Sequence, residues 1–321
     1  MNTATFLVRV ERKQVEAVDV FSYQLVSADE QRLPTFAAGS HIDVHLAKGL
    51  TRQYSLCNDP AESHHYLIAV LKDHASRGGS ETMHRVVREG DLLTISAPRN
   101  HFPLAPGGKS SLLFAGGIGI TPILCMAERL ARKGEDFQMH YCTRSHDRTT
   151  FRHRIARSAF SEKVHFHLDD GCEKQRLDLE ALLGNPREYV HVYVCGPTGF
   201  INAVLAKARG HGWPEPQLHY EFFGTNLVKT GSDDGFDVKL ASSGRIVRVA
   251  KSQSVVQALE AAGVNVTTSC EQGVCGACLT RVLEGEPDHR DTYLTVEERT
   301  QNRDFLPCCS RAKSSLLVLD L

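Results

Sequence analysis

The sequence has no charge excess and no long apolar run. Lys and Arg total 37 against 38 Asp and Glu in 321 residues, a formal net charge of -1. That excludes the basic footprint of a nucleic-acid binder. The longest apolar tract, Leu112–Ala127, is broken by Gly, Thr and Pro, and falls short of the roughly 20 residues that a membrane-spanning helix needs. The start, MNTATFLVRVERKQV, shows no basic segment followed by an apolar stretch of signal-peptide length, so a cytoplasmic location is expected. Aromatic residues make up only 7%, with one tryptophan, Trp213. No internal repeat or low-complexity tract is evident. Apolar residues at 41% and charged residues at 23% are ordinary for soluble globular protein and argue against general disorder.

Cysteine is what the sequence does have: ten in all, half of them in the last 52 residues. In a reducing compartment, clustered cysteines more often bind metal or do redox chemistry than form disulfides. The C-terminal spacing is Cys270-x4-Cys275-x2-Cys278-x29-Cys308. This is the C-x4-C-x2-C…C pattern of a plant-type two-iron two-sulfur site. Iron in such a cluster prefers thiolates, and Gly273 and Gly276 permit a tight wrapping loop. Structural zinc more usually has two separated C-x2-C pairs, and only one occurs here. The fourth ligand is expected on a distant strand, with Cys309 a small neighbour facing the other way. Cys57, Cys125, Cys142, Cys172 and Cys195 read as packing residues. No Cys-x-His pair of a Rieske centre is present, and the sixteen histidines read as scattered surface or strand residues.

The length allows two or three domains, and the patterning changes twice. Up to about residue 100 the chain shows short runs rich in β-branched and aromatic residues: Leu7–Val10, Phe21–Val26, His41–Leu46, Gln53–Leu56, Tyr66–Val70 and Leu92–Ile95. Turn residues separate them, as in an antiparallel barrel or sandwich, with one helix at Ser80–Val87. Arg99–Pro106 reads as a linker. Strands at Ser111–Ala115, Phe137–Cys142, Val164–Leu168 and Val190–Cys195 then alternate with helices, which implies a parallel α/β sheet. A polar linker at Val228–Asp234 precedes a hairpin, a helix at Val255–Ala261 and the cysteine loop.

The segment GGIGITP, Gly116–Pro122, follows a strand and opens a helix, where phosphate is favoured. Its glycines are too close together for the G-x-G-x-x-G fingerprint. Cys195-Gly196-Pro197 ends a second strand, and two such ends form a ligand crevice in a parallel sheet. In Arg52-Gln53-Tyr54-Ser55, Arg52 and Tyr54 share one strand face and Ser55 takes the other. The run reads as a phosphate and ring site or as an ordinary exposed barrel strand. Gly78-Gly79-Ser80 adds a second phosphate cradle. Arg144, Ser145 and Arg148 follow the second sheet strand without an acidic residue at its end, which leaves NADH and NADPH both open.

Together RQYSLCNDP, RGGS, AGGIGITP, VCGPTG, EFFG and CEQGVCGAC with Cys308 resemble the phthalate dioxygenase reductase family, which includes vanillate demethylase reductases. The order matches, and the resemblance covers essentially the whole chain. It implies an antiparallel β-barrel flavin domain at 1–103, a parallel α/β nicotinamide domain at 104–228 and a β-grasp ferredoxin domain at 229–321. It implies FMN held by Arg52, Tyr54, Ser55, Ala69, Val70, Gly79 and Ser80, with Thr121 and Phe223 closing the site. Phe223 reads alternatively as core packing. Ser55 and Thr121 are the candidates for orienting the flavin. NADH is expected across Gly117, Gly119 and Thr121, with Arg144, Cys195, Gly196 and Pro197. The cluster ligands are Cys270, Cys275, Cys278 and Cys308. The implied activity is electron supply from NADH through FMN and the 2Fe-2S cluster to a separate terminal oxygenase of aromatic catabolism, by a monomer. A reductase for another acceptor, or an iron–sulfur redox sensor, is the alternative. Residues 229–321 hold thirteen acidic and eleven basic side chains, too even a balance to steer a partner.

Overall fold

The computed structural model describes residues 5–29, 31–47, 50–73, 78–223, 234–251, 253–268, 273, 276–291 and 293–321. They form two compact units, Met1–Glu221 and Phe222–Leu321.

The first unit begins with β1 (Thr5–Ala17), β2 (Val20–Ser27), β3 (Ser40–His45), β4 (Thr51–Ser55), β5 (Tyr66–Leu71), helix α1 (Gly79–Arg85), β6 (Leu92–Ser96) and β7 (Arg99–Asn100). The strands pair antiparallel in the order β4-β3-β6-β1-β2-β5, with β7 on β3. The two edges meet. Leu56, just past β4, bridges Ile68 of β5, and the Cys57 amide donates to Leu67 O at 2.8 Å. Closure into a barrel leaves few backbone groups without a partner strand. Alternate residues Val8, Val10, Tyr23, Leu25, Ile42, Val44, Ile68 and Ile95 fill its interior. Arg99 and Asn100, expected in a linker, are strand residues instead. Asn100 pairs with Ser40, and the Arg99 guanidinium donates to Asp43.

A five-stranded sheet follows: β8 (Ser110–Gly116), α2 (Ile120–Lys133), β9 (Asp136–Thr143), α3 (Arg152–Ala156), β10 (Val164–Leu168), α4 (Leu179–Leu183), β11 (Val190–Gly196), α5 (Thr198–Gly210) and β12 (Leu218–Phe222). The spatial order is β10-β9-β8-β11-β12, and β8 to β11 run parallel. Continuous apolar strands such as SSLLFAG suit a sheet covered on both faces. Helix α2 ends at Gly134, whose φ of 69° makes the left-handed cap that glycine favours. One apolar core runs from barrel residues Ala17, Leu67 and Ala69 to Leu113, Ile123 and Tyr141 of the sheet and α2. Ion pairs between Asp59 and Arg132, and between Arg154 and Glu62 (3.8 Å), add to that joint.

The second unit holds β13 (Phe236–Leu240), β14 (Ile246–Val249), α6 (Val255–Ala261), β15 (Thr280–Glu284), β16 (Pro287–Asp288), α7 (Val296–Gln301), β17 (Asp304–Phe305), β18 (Arg311–Ala312) and β19 (Leu316–Leu319). Its mixed sheet has the order β14-β13-β19-β15-β17, with β13 and β19 parallel. Ser254 and Gln257 form a capping box on α6, a device worth about 1 kcal/mol. The apolar stripe Val255, Ala258 and Leu259 of that helix joins the core formed by the sheet. The expected linker at Val228–Asp234 lies outside the described residues except for Asp234. Among the described residues, no helix is long and apolar enough to cross a membrane.

Candidate functional site: two strand ends, a barrel edge and a cysteine turn

The register of β3 and β4 fixes which way the RQYS side chains point. Arg52 and Tyr54 pair with Val44 and Ile42, and Tyr54 packs on the barrel core. Ser55 pairs with His41 on the other face and is buried. Arg52 lies over the start of α1. A β-carbon added to Gly79 would come within 2.5 Å of Arg52 Cγ and Nε. Ser80 is committed locally, its Oγ accepting from the Asp73 amide at 3.1 Å. Ala69 belongs to the core shared with the sheet, whereas Val70 faces the barrel interior. Val70 can therefore line a flavin only through its backbone.

The glycine segments at the ends of β8 and β11 are pressed together. A β-carbon on Gly119 would stand 2.2 Å from Cys195 O, and one on Gly196 would stand 2.9 Å from Gly116 Cα. Only glycine tolerates that approach. Thr121, at the start of α2, is buried and donates its hydroxyl to Ile118 O at 3.0 Å.

A residue that the motif analysis passed over completes this crevice. Glu221 of β12 is half-buried, its carboxyl within hydrogen-bonding reach of Ser55 and close to Cys195. Burial pushes its carboxyl up to about 8, against a lowering by the Ser55 hydroxyl. At pH 7 it therefore holds its proton. Its Oε2 is buried with no hydrogen-bond partner among the described residues. Burial also pushes the Cys195 thiol well up, so that group stays neutral. Ser55, Cys195 and Glu221 come from β4, β11 and β12, from the barrel and the sheet alike. An unpaired polar atom in a glycine-lined crevice fits a polar planar ligand. EFFG was the available signal for Glu221, but no spacing rule connects it to Ser55. Phe223 of the same motif is 38% exposed and falls in the second unit.

A cavity of about 350 Å³ opens at the C-terminal ends of β9 and β10, lined by Cys142, His167, Leu168, Asp169, Arg176 and Leu177. Arg144 is exposed beside it, and the Asp170 amide donates to Arg144 O. Its sequence neighbours are engaged elsewhere. Ser145 donates to Asp147, and Arg148 pairs with Asp19 at 3.7 Å. An acidic residue stands in the turn just after the adjacent strand β10, at Asp169.

In the second unit, Cys278 and Cys308 are buried, 4% and 5% exposed. Cys270 and Cys275 lie outside the described residues. Cys308 and Cys309 sit in a turn and not on a strand, because Pro307 has no amide to donate and Ser310 N closes back on Leu306 O at 2.9 Å. Cys309 is therefore not on an opposite strand face. It packs against the cysteine loop: a β-carbon on Gly273 would lie 2.4 Å from its Sγ. Gly273 and Gly276 adopt φ of 72° and 71°, the left-handed turns that the tight loop requires. Thiols, buried and framed by left-handed glycines, suit an iron–sulfur cluster.

Two other expectations fail. Cys172 is exposed and does not pack. The histidines are not all scattered: His140 stacks with His165 and His167, and His191 with His219.

Residues 238–313 match the model of the 2Fe-2S iron-sulfur cluster binding domain. The chain is 50% identical over 312 residues to the vanillate O-demethylase oxidoreductase of Pseudomonas sp. (strain HR199 / DSM 7063), covering 97% of this chain and 98% of the relative. The solved structure of phthalate dioxygenase reductase, described as modular for electron transfer from pyridine nucleotides to [2Fe-2S], superposes with a TM-score of 0.81. It is 36% identical and covers 99% of this chain and 98% of its own. The chain belongs to the phthalate dioxygenase reductase family. Its flavin-type barrel, parallel nicotinamide sheet and ferredoxin sheet are the three parts of that fold. The carnitine monooxygenase reductase subunit of Escherichia coli (strain K12) is 40% identical over 98% of each chain. This member of the phthalate dioxygenase reductase family is an oxidoreductase with a 2Fe-2S cluster, the electron-supplying component of an oxygenase system.

Proposed function

We propose that this reductase uses NADH, holds FMN and serves a Rieske-type aromatic oxygenase or demethylase, with domains at 1–103, 104–228 and 229–321. The observation that carries the reading is the convergence of Ser55, Cys195 and Glu221 in one crevice, upstream of the cysteine turn. A flavin held by these residues would supply hydride acceptance from nicotinamide and one-electron delivery toward a cluster.

Arg52 would supply the phosphate charge beside Gly79, and one such cradle suits FMN, which has one phosphate. Gly79→Ala pushes Arg52 aside and lowers FMN affinity by about tenfold, the scale of one charged hydrogen bond. Retention of the 450 nm absorbance through desalting measures it; full retention in the variant removes this cradle. Tyr54 and Ala69 offer ring contacts, and Ser55 orients. Gly117, Gly119, Thr121, Gly196 and Pro197 leave room for nicotinamide, while Phe223 is carried over on the motif alone.

Asp169 supports NADH over NADPH, since a carboxylate accepts from a ribose 2′-hydroxyl and repels a 2′-phosphate. Asp169→Ser is expected to narrow the preference by about tenfold, read as the ratio of kcat/KM values for the two nucleotides. An unchanged ratio removes the adenosine end from this cavity. Cys270, Cys275, Cys278 and Cys308 would hold the cluster, with Cys309 a packing neighbour.

The reading as a whole is tested by mixing the purified protein with NADH and an aromatic O-demethylase oxygenase, the kind of system its relatives' names point to. Product formation supports it. NADH oxidation with ferricyanide but with no oxygenase transfer points to another acceptor. A sample that binds a cluster but shows no NADH turnover is a sensor.

A further inference from the structure

The wall of the β9–β10 cavity contains a histidine whose protonation state follows by elimination. His167 Nδ1 lies 2.9 Å from Gln175 O. A carbonyl only accepts, so Nδ1 carries the proton and Nε2 of the neutral ring is a lone pair. That lone pair faces His140 Nδ1 at 3.1 Å. His140 therefore donates from Nδ1, and its own Nε2 is bare. This atom is buried with no hydrogen-bond partner among the described residues, on a residue only 4% exposed. Phe114 and His165 stack on the same ring, at 5.3 and 5.0 Å.

Gln175 ends the short turn Glu173–Gln175, from which the chain runs directly to Arg176 and Leu177. Both of these line the cavity with Asp169. The hydrogen bond from His167 thus ties β10 to the returning segment that forms part of the wall. Valine or leucine would fill the His140 position without the cost of a buried imidazole.

We propose that His167 is a positioning residue for the dinucleotide: its Nδ1–H holds the Gln175 carbonyl, and with it the Arg176–Leu177 wall, where the adenosine half binds. This rests on the reading of the cavity as the dinucleotide site. His140 locks the tautomer, since its Nδ1–H leaves His167 no choice but to donate from Nδ1.

The clasp works only while both rings are neutral. A proton added to His167 Nε2 would confront the His140 N–H. His140 could yield only by moving its proton to Nε2, where no acceptor waits. Burial lowers His167 below the usual 6.5 and brings His140 to about 3. His140 and His165 face His167 from β9 and β10, Cys142 and Asp169 share the cavity with it, and Arg176 lies on the returning segment. Both folded-state values are depressed, so the contribution is complete above about 6.5 and is lost as the pH falls.

The test uses the full holoprotein and ADP-ribose, the nucleotide without its nicotinamide, whose dissociation constant is measured by titration calorimetry beside NADH–ferricyanide kinetics. His167→Phe keeps a ring and removes the donor. It is expected to weaken ADP-ribose and raise the KM for NADH by about tenfold, with kcat within about twofold. His167→Asn places an amide N–H where Nδ1 was and is expected to stay within about twofold of wild type. Wild-type affinity should fall as the pH drops below about 6.5, and that fall should flatten in His167→Asn. Unchanged binding in His167→Phe, with weakened binding in Asp169→Ala, overturns the clasp and leaves the cavity reading standing. Unchanged binding in both overturns both. Should His167→Phe fail to fold, His167→Leu, which also removes the donor, takes its place, and unchanged ADP-ribose binding there overturns the proposal.

Discussion

Cys308→Ser abolishes the visible iron–sulfur absorbance and stops electron delivery to the oxygenase, while NADH–ferricyanide turnover stays within about twofold of wild type. The serine hydroxyl is a poor substitute for a thiolate toward iron. Cys308 is buried in a turn whose shape Pro307 and Ser310 already set, so the exchange of sulfur for oxygen leaves the backbone little reason to move. The crevice of Ser55, Cys195 and Glu221 lies in the other compact unit, which has its own apolar core. Iron content, visible spectra and the two assays measured side by side decide the matter. A folded Cys308→Ser protein that loses both activities contradicts a path in which the cluster follows the flavin.

Glu221→Gln slows flavin reduction by NADH about 100-fold, with little change in nucleotide affinity. The carboxyl is neutral at pH 7 because burial holds it near 8, and its hydrogen-bond partner is the Ser55 hydroxyl. It is thus a proton holder in a dry crevice, beside the groups on which nicotinamide and flavin would meet. Its folded-state value lies above the ordinary 4.5. The native state therefore binds a proton that the unfolded chain releases, and stability falls as the pH rises from about 4.5 through about 8. The amide keeps the shape but cannot titrate. Stopped-flow traces across pH 6 to 9 should show a limb near 8 in the wild type and none in the variant. An equal limb in both would assign it to another group, and an unchanged rate would leave Glu221 a packing residue.

What was legible in the sequence is what chemistry forces into short spacings. The cysteine loop, the RQYS alternation and the glycine pairs each lie within a few residues, and each is a local demand of ligand or backbone. The antiparallel barrel or sandwich and the parallel sheet follow from the change in hydrophobic period, whereas the ferredoxin sheet follows from the family resemblance. What was missed depends on contacts between distant strands. Glu221 meets Ser55 across 166 positions, and nothing in EFFG marks its carboxyl as buried. His140 and His167 meet because β9 and β10 pair with His165 opposite His140, a register that cannot be derived from either strand alone. Cys308 is expected on a distant strand from the spacing, but Pro307 turns the chain there. Asp169 is not marked by the end of β9, because the turn after the neighbouring strand β10 supplies it.

The boundary between the two units also constrains anyone who would recombine them. β12 runs to Phe222, yet the first unit ends at Glu221. A splice made at the unit boundary would cut the strand immediately after its acid and let the last turn of the crevice fray. A hybrid that borrows the iron–sulfur half of another reductase should therefore be joined beyond Phe223, so that β12 and the whole EFF run stay with the first unit.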